Sequence, residues 1–135
     1  MSDLIIFDTS VLVDDLRTGR HRQRIESIRG LIRNSTVVLA ELWRGATTQA
    51  DREFLRALGK NHPVLTPTEG TWLESGQILA KMRADHSYSP DKLRSLHFDV
   101  LIALTARSHG ARLITSNRSD FEAICRHCKF QFEVW

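Results

Sequence analysis

Four consecutive apolar residues near the start of the chain, Leu4-Ile5-Ile6-Phe7, stop abruptly at an acid, Asp8. A run that short, with no polar alternation, is what a strand covered on both faces requires. Parallel strands need long crossover connections, usually helical, so this one feature predicts helices following strands. The rest of the chain fits that pattern. Residues 30–33 form a candidate second strand, 63–67 a short third one bracketed by prolines, and 113–115 a fourth. Residues 130–134 alternate as a last strand would. Between them lie candidate helices. The first is capped by Thr9 or Ser10 and runs to about Leu16, and a basic segment over 20–29 carries Ile25 and Ile28 as a narrow apolar stripe. A third, capped by Ser35 or Thr36, runs towards Gly45, and others cover 51–58 and 68–83, the latter with Trp72, Gly76, Leu79 and Met82 near one face. After a loop over 85–89, the longest helix covers 93–110, and a short one capped by Ser119 ends at Ile124. Strands alternating with helices predict an α/β sandwich, a mainly parallel central sheet flanked by helices.

Size and composition narrow the classes. With 135 residues, 41% hydrophobic and 26% charged, the chain suits one compact domain over 1–135, rich enough in apolar residues to fill a core. No stretch approaches the roughly 20 apolar residues of a membrane span. Met1-Ser2-Asp3 lacks a basic leader region, and there are two cysteines, so a reducing cytoplasm is the expected location. The net charge of +3 is mild, but Arg17, Arg20, Arg22 and Arg24 share one short stretch with His21. That stretch reads either as a solvated helix face or as contacts to a nucleic-acid backbone.

In a parallel sheet, ligands bind beyond the carboxyl ends of the strands. Four acids fall near that edge: Asp8 after the first strand, Glu41 within Val38-Leu39-Ala40-Glu41-Leu42, Asp99 within Phe98-Asp99-Val100-Leu101-Ile102, and Asp120 after the fourth strand. Asp8, Glu41 and Asp99 are flanked by residues that favour burial, where an unpaired carboxylate is costly. Each also has a purely structural reading. Asp8 and Asp120 can cap helices, Glu41 can pair with Arg44, and Asp99 can pair with an arginine. Four such acids at one sheet edge instead suggest a shared pocket neutralised by a divalent cation, and Mg²⁺ or Mn²⁺ prefers such oxygen donors.

Four blocks carry a family resemblance: Ile5-Ile6-Phe7-Asp8-Thr9-Ser10, Glu41-Leu42-Trp43-Arg44-Gly45-Ala46, Asp99-Val100-Leu101-Ile102-Ala103, and Thr115-Ser116-Asn117-Arg118-Ser119-Asp120-Phe121. In this order they resemble the PIN-domain ribonucleases, above all the VapC-type toxins of toxin–antitoxin pairs. The resemblance implies a PIN-like three-layer sandwich and metal-dependent hydrolysis of RNA. It implies Asp8, Glu41 and Asp99 as catalytic, metal-binding acids. Many relatives carry an acid at the position of Asn117, so the resemblance leaves the fourth ligand to Asp120, to Asn117, or to both. It further implies a small antitoxin partner and a homodimer, for which the Trp72 helix is a candidate face. Thr9, Thr115 or Ser116 can bind phosphate or brace a ligand, and Arg17 begins the candidate RNA-contacting stretch.

Two rival readings differ in chemistry. A catalytically silent RNA- or protein-binding module would keep the fold without cutting. A haloacid-type phosphatase would need a second Asp at position 10, where this chain has Ser10. Cys125-Arg126-His127-Cys128 lacks the second ligand pair of a structural zinc site, and Trp43, Trp72 and Trp135 read as core, rim or dimer contacts.

Overall fold

The first strand, β1 (Leu4–Phe7), lies at the centre of a five-stranded sheet. In the computed structural model, which describes residues 3–135, it pairs in parallel with β2 (Leu31–Ser35) on one side and β4 (Arg112–Thr115) on the other. Met1 and Ser2, and the reading made of them, lie outside the described residues. The sheet is completed by β3 (Val64–Leu65) beside β2 and β5 (Gln131–Val134) beside β4, both parallel, giving the order β3-β2-β1-β4-β5. The expected mainly parallel sheet is thus parallel at every pairing.

The connecting helices are α1 (Thr9–Thr18), α2 (Arg22–Ser27), α3 (Thr36–Gly45), α4 (Gln49–Asn61), α5 (Glu69–Asp85), α6 (Pro90–Ser108) and α7 (Arg118–Cys125). Strand order runs outward from β1 to β3, then returns to β4 on the other side of β1. Right-handed crossovers in opposite directions place helices on both faces of the sheet, a three-layer α/β sandwich. The same reversal creates a crevice at the carboxyl ends of β1 and β4.

Ile5, Ile6, Leu113 and Ile114 are completely buried in the middle strands. Residues 101–106 of α6 are also buried on every side, so this helix runs through the interior. Each fully buried Ile or Leu contributes roughly 1.5–3 kcal/mol. Gly30 allows the chain to enter β2. Its φ is +140°, and a Cβ there would lie 2.6 Å from the Asp3 carbonyl oxygen, which accepts the Leu31 amide.

Several element ends differ from expectation, each for a local reason. The long helix starts at Pro90, three residues before the expected position, because Ser89 accepts the Lys92 amide at 3.1 Å and Pro suits the first turn. A reciprocal capping box between Thr48 and Asp51 starts α4 at Gln49. The basic segment gives only the short α2, which buries no residue and ends at an extended Ile28. Asp8, not Thr9 or Ser10, occupies the cap position of α1, and Asn117, not Ser119, that of α7; neither side chain makes a capping bond. Among the described residues no helix is long and apolar enough to cross a membrane.

Candidate active site: four carboxylates at the carboxyl edge of the sheet

At the end of β1 the Asp8 amide donates to the Ile114 carbonyl of β4 at 2.8 Å, locking the two strand ends together. The Asp8 side chain is only 3% exposed. Its Oδ2 accepts the Ser10 hydroxyl and the Thr115 hydroxyl, each at 2.8 Å. Ser10 Oγ in turn accepts the Ser116 amide at 3.0 Å, and Thr115 Oγ1 the Asn117 amide at 2.9 Å. Two strand ends, a helix start and a loop are therefore tied around one carboxylate. Burial raises the Asp8 pKa, while the Ser10 and Thr115 hydroxyls oppose the shift by favouring the anion. The Thr9 and Ser10 amides help to a lesser degree, near enough to act on the charge but too poorly aimed to cap the helix.

Glu41 is carried by α3, whose first turn is fixed by Ser35 accepting the Val37 and Val38 amides. Its Oε1 accepts the Thr9 hydroxyl at 2.9 Å, so α1 also braces a second acid. Burial raises its pKa, the Thr9 bond lowers it, repulsion from Asp8 raises it, and Arg44 lowers it. Arg44 stands over the Phe98 ring at 5.8 Å, and no ion pair between Arg44 and Glu41 forms among the described residues.

Asp99 differs from both. It sits on α6 just before the buried run, and among the described residues nothing donates a hydrogen bond to it or pairs with it. Burial pushes its carboxyl up to about 8, helped by repulsion from Asp8, Asp120 and Glu41 and eased only by Lys92. Those repulsions place all four predicted acids in one electrostatic neighbourhood. The suggested pairing of Asp99 with an arginine does not occur among the described residues.

Asp120, expected as a helix cap or a ligand, is held elsewhere. Lys92 Nζ lies 2.8 Å from both of its carboxylate oxygens, and Asn117 Nδ2 donates to its Oδ2 at 2.8 Å. Neither Lys92 nor the Ser10 bond to Asp8 was foreseen from the sequence. Lys92 lies outside all four motif blocks, but a cation in the first turn of a helix opposes the helix dipole and was the available signal. Of the other residues singled out, Thr9 and Thr115 are braces, whereas the Ser116 hydroxyl is buried without a partner among the described residues.

Two cavities flank Glu41. One, of about 450 Å³, is lined by Arg44, Trp72, Arg94, His97 and Phe98; the other, of about 330 Å³, by Arg17, Val13, Leu42 and Leu55. Arg17 thus stands beside the site, while Arg20 and Arg22 pair with Asp14 and Asp15 and Arg24 packs over Trp135. Cys125 and Cys128 are free thiols, and His127 pairs with Asp85.

The donor chemistry fits a hard divalent cation. No side chain among the described residues donates to Asp8 Oδ1, Glu41 Oε2 or either Asp99 oxygen. Even so, no three His, Cys, Asp or Glu side chains among the described residues form a ready ligand set. The two observations agree, because Coulomb repulsion acts over longer distances than a coordination bond. The acids lie near enough to repel one another without converging on one point.

The sequence model of the PIN domain matches residues 5–126. No curated protein sequence matches the chain. Among solved structures, the chain resembles VapBC2 from Rickettsia felis bound to a promoter DNA fragment, with TM-score 0.76, 18% identity and 98% of each chain covered. It also resembles DNA-bound VapBC from Salmonella typhimurium, with TM-score 0.65, 24% identity, and 100% of this chain and 99% of that one covered. A third similar structure is VapBC-1 from nontypeable Haemophilus influenzae, at TM-score 0.73 and 21% identity, covering 98% of each chain. At these identities the structures speak for the shared fold, while the sequence model spans every motif block that carries an acid of the pocket. By that match, this chain belongs to the PIN domain family.

Proposed function

We propose that this chain is a divalent-metal-dependent ribonuclease that hydrolyses RNA phosphodiester bonds, acting as the toxin of a type II toxin–antitoxin pair. The observation that carries this reading is Asp99, an acid beside the buried run of α6, with three acids around it and no donor of its own among the described residues. A carboxylate so placed is tolerated at neutral pH only by staying protonated or by meeting a cation. Asp8, Glu41 and Asp99 would hold Mg²⁺ or Mn²⁺, and Asp120 with Asn117 forms the fourth corner.

A divalent ion bound there supplies Lewis acidity toward a phosphate oxygen and makes a nearby water easier to deprotonate. The chain's residues do the positioning. Ser10 and Thr115 hold one Asp8 oxygen, leaving the other free, and Thr9 does the same for Glu41. No histidine among the described residues hydrogen-bonds any of the four acids, so a carboxylate is the group available to take the proton of attacking water. Arg17, Arg44 and Arg94 line the cavities beside Glu41 and suit contacts to an RNA backbone.

The partner reading rests on the resemblance to VapBC complexes. A small antitoxin with a basic side chain reaching this pocket would neutralise the acids and block it. Exposed Trp43, Trp72 and Leu73 provide apolar surface for self-association as a dimer. The cytoplasm, where its RNA substrate resides, is the expected location, with 1–135 acting as one domain.

The direct test is cleavage of RNA with and without Mg²⁺, then with Asp8→Asn and Asp99→Asn. Retention of full activity in either variant overturns the assignment. Calorimetric titration with Mn²⁺ separates a nuclease from a catalytically silent module, which would bind no ion. For the toxin role, expression of this chain alone should arrest growth, and co-expression of the adjacent small reading frame should relieve it; harmless expression overturns that role.

A further inference from the structure

Among the described residues Lys92 is the one lysine bonded to any of the four acids, and it sits where helix electrostatics disfavour it. It occupies the first turn of α6, two residues after Pro90, near the positive end of the helix dipole. A neutral or acidic residue would be the better choice for the helix alone. Its ammonium instead reaches across to α7 and contacts both oxygens of Asp120 at 2.8 Å, while Asn117 Nδ2 adds a third donor. Three of the roughly four acceptor positions on that carboxylate are therefore taken. Asp8, Glu41 and Asp99 contrast with it, since each keeps at least one oxygen free of described donors. Lys92 also lies seven residues before Asp99, two helical turns away on the same side of α6, and its charge acts on Asp99 as well.

We infer that Lys92 takes the place of a second metal ion, clamping Asp120 so that the pocket binds a single divalent cation through Asp8, Glu41 and Asp99. This rests on the metal-site reading above and makes it more specific. Asp120 becomes a positioning residue, which anchors Lys92 and Asn117 at the edge of the site. A second divalent ion at Asp120 would have to displace an ammonium from a bidentate contact and then sit beside that displaced charge. With Lys92 in place, one ammonium and one dication offset all but one of the four carboxylate charges. Without it, Asp120 would be a half-buried anion in need of another cation.

The test is Mn²⁺ binding to the full chain at pH 8, read by calorimetry and by the Mn²⁺ paramagnetic resonance signal, with no activity measurement. Wild type should bind one ion per chain. Lys92→Met should bind a second, weaker one. Asp120→Asn should still bind one, with affinity within about tenfold of wild type, as for a residue outside the ligand set. Asp99→Asn should lose binding. Two ions in wild type, one ion in Lys92→Met, or no binding in Asp120→Asn each overturn this inference and leave the metal-site reading standing. No ion in wild type overturns both. Should Lys92→Met fail to fold by circular dichroism, the Asp120→Asn result decides.

Discussion

At the β1–β4 edge Asp8 is held by two hydroxyls whose own oxygens are held by two backbone amides, whereas Asp99, on α6, receives no donor from the described residues. Asp8 is buried and Asp99 half-buried, and in both burial is the first cause of a raised pKa. The difference lies in what surrounds them. The Asp8 corner is pre-arranged, with its geometry fixed by the sheet. The Asp99 corner has its charge problem left open, to be solved by whatever binds. A site made this way has a rigid reference point and an adaptable arm, which suits a cation that must be taken up in the right place and exchanged.

The sharpest way to break this comparison is to neutralise each acid in turn. On the proposed reading, Asp8→Asn and Asp99→Asn should each lower RNA cleavage by about a thousandfold, since several kcal/mol of charge stabilisation would depend on the ion they are proposed to hold. A small effect at either position in a Mg²⁺-saturated cleavage assay would show that the two corners do not serve one ion. Removing the brace should cost less than removing the ligand. Thr115→Val should weaken Mn²⁺ binding by about 10–100-fold. It should also lower folding stability by about 1–3 kcal/mol, because buried Asp8 loses a donor and the Asn117 amide loses its acceptor. Urea unfolding and metal titration together would check both effects.

The pH dependence follows from Asp99. With its carboxyl near 8, binding a dication must release a proton at neutral pH, so Mg²⁺ affinity should rise by about tenfold per pH unit from 6 towards 8 and flatten above. A flat titration over that range would contradict the open corner. The smallest effect concerns stability in EDTA. The native state keeps a proton on Asp99 that the unfolded chain, with its carboxyl near 3.8, has already lost. Stability from this group is therefore complete below about 4 and declines as pH rises towards 8. Asp99→Asn removes the decline, and should melt a few degrees above wild type at pH 8 and close to it at pH 4. Parallel melting curves at both pH values would count against the assignment.

Much of this was legible in the sequence because short apolar runs ending in acids leave few alternatives. Leu4-Ile5-Ile6-Phe7 could only be an interior strand, and it brought Asp8 to the sheet edge. Asp99 was visible as a charge inside an apolar helix. Element ends were less legible, because they depend on single caps: Ser89 and Thr48 each moved a helix start. Partners distant in sequence were the least legible. Ser10 read as a helix cap until Asp8 was seen to take that position, and Lys92 reaches an acid 28 residues away on another helix. Local pattern does not encode such a pairing, although a cation misplaced for its helix hints at it.

The bond between Asp8 and Thr115 spans 107 residues. Contacts that distant form late, after the entropy of closing the intervening loop has been overcome. A ribosome that has finished α6 but not β4 would hold a nascent polypeptide with three acids already translated, yet with nothing to fix the first. On the proposed reading, the first acid would be held in place for an ion only once β4 has been made.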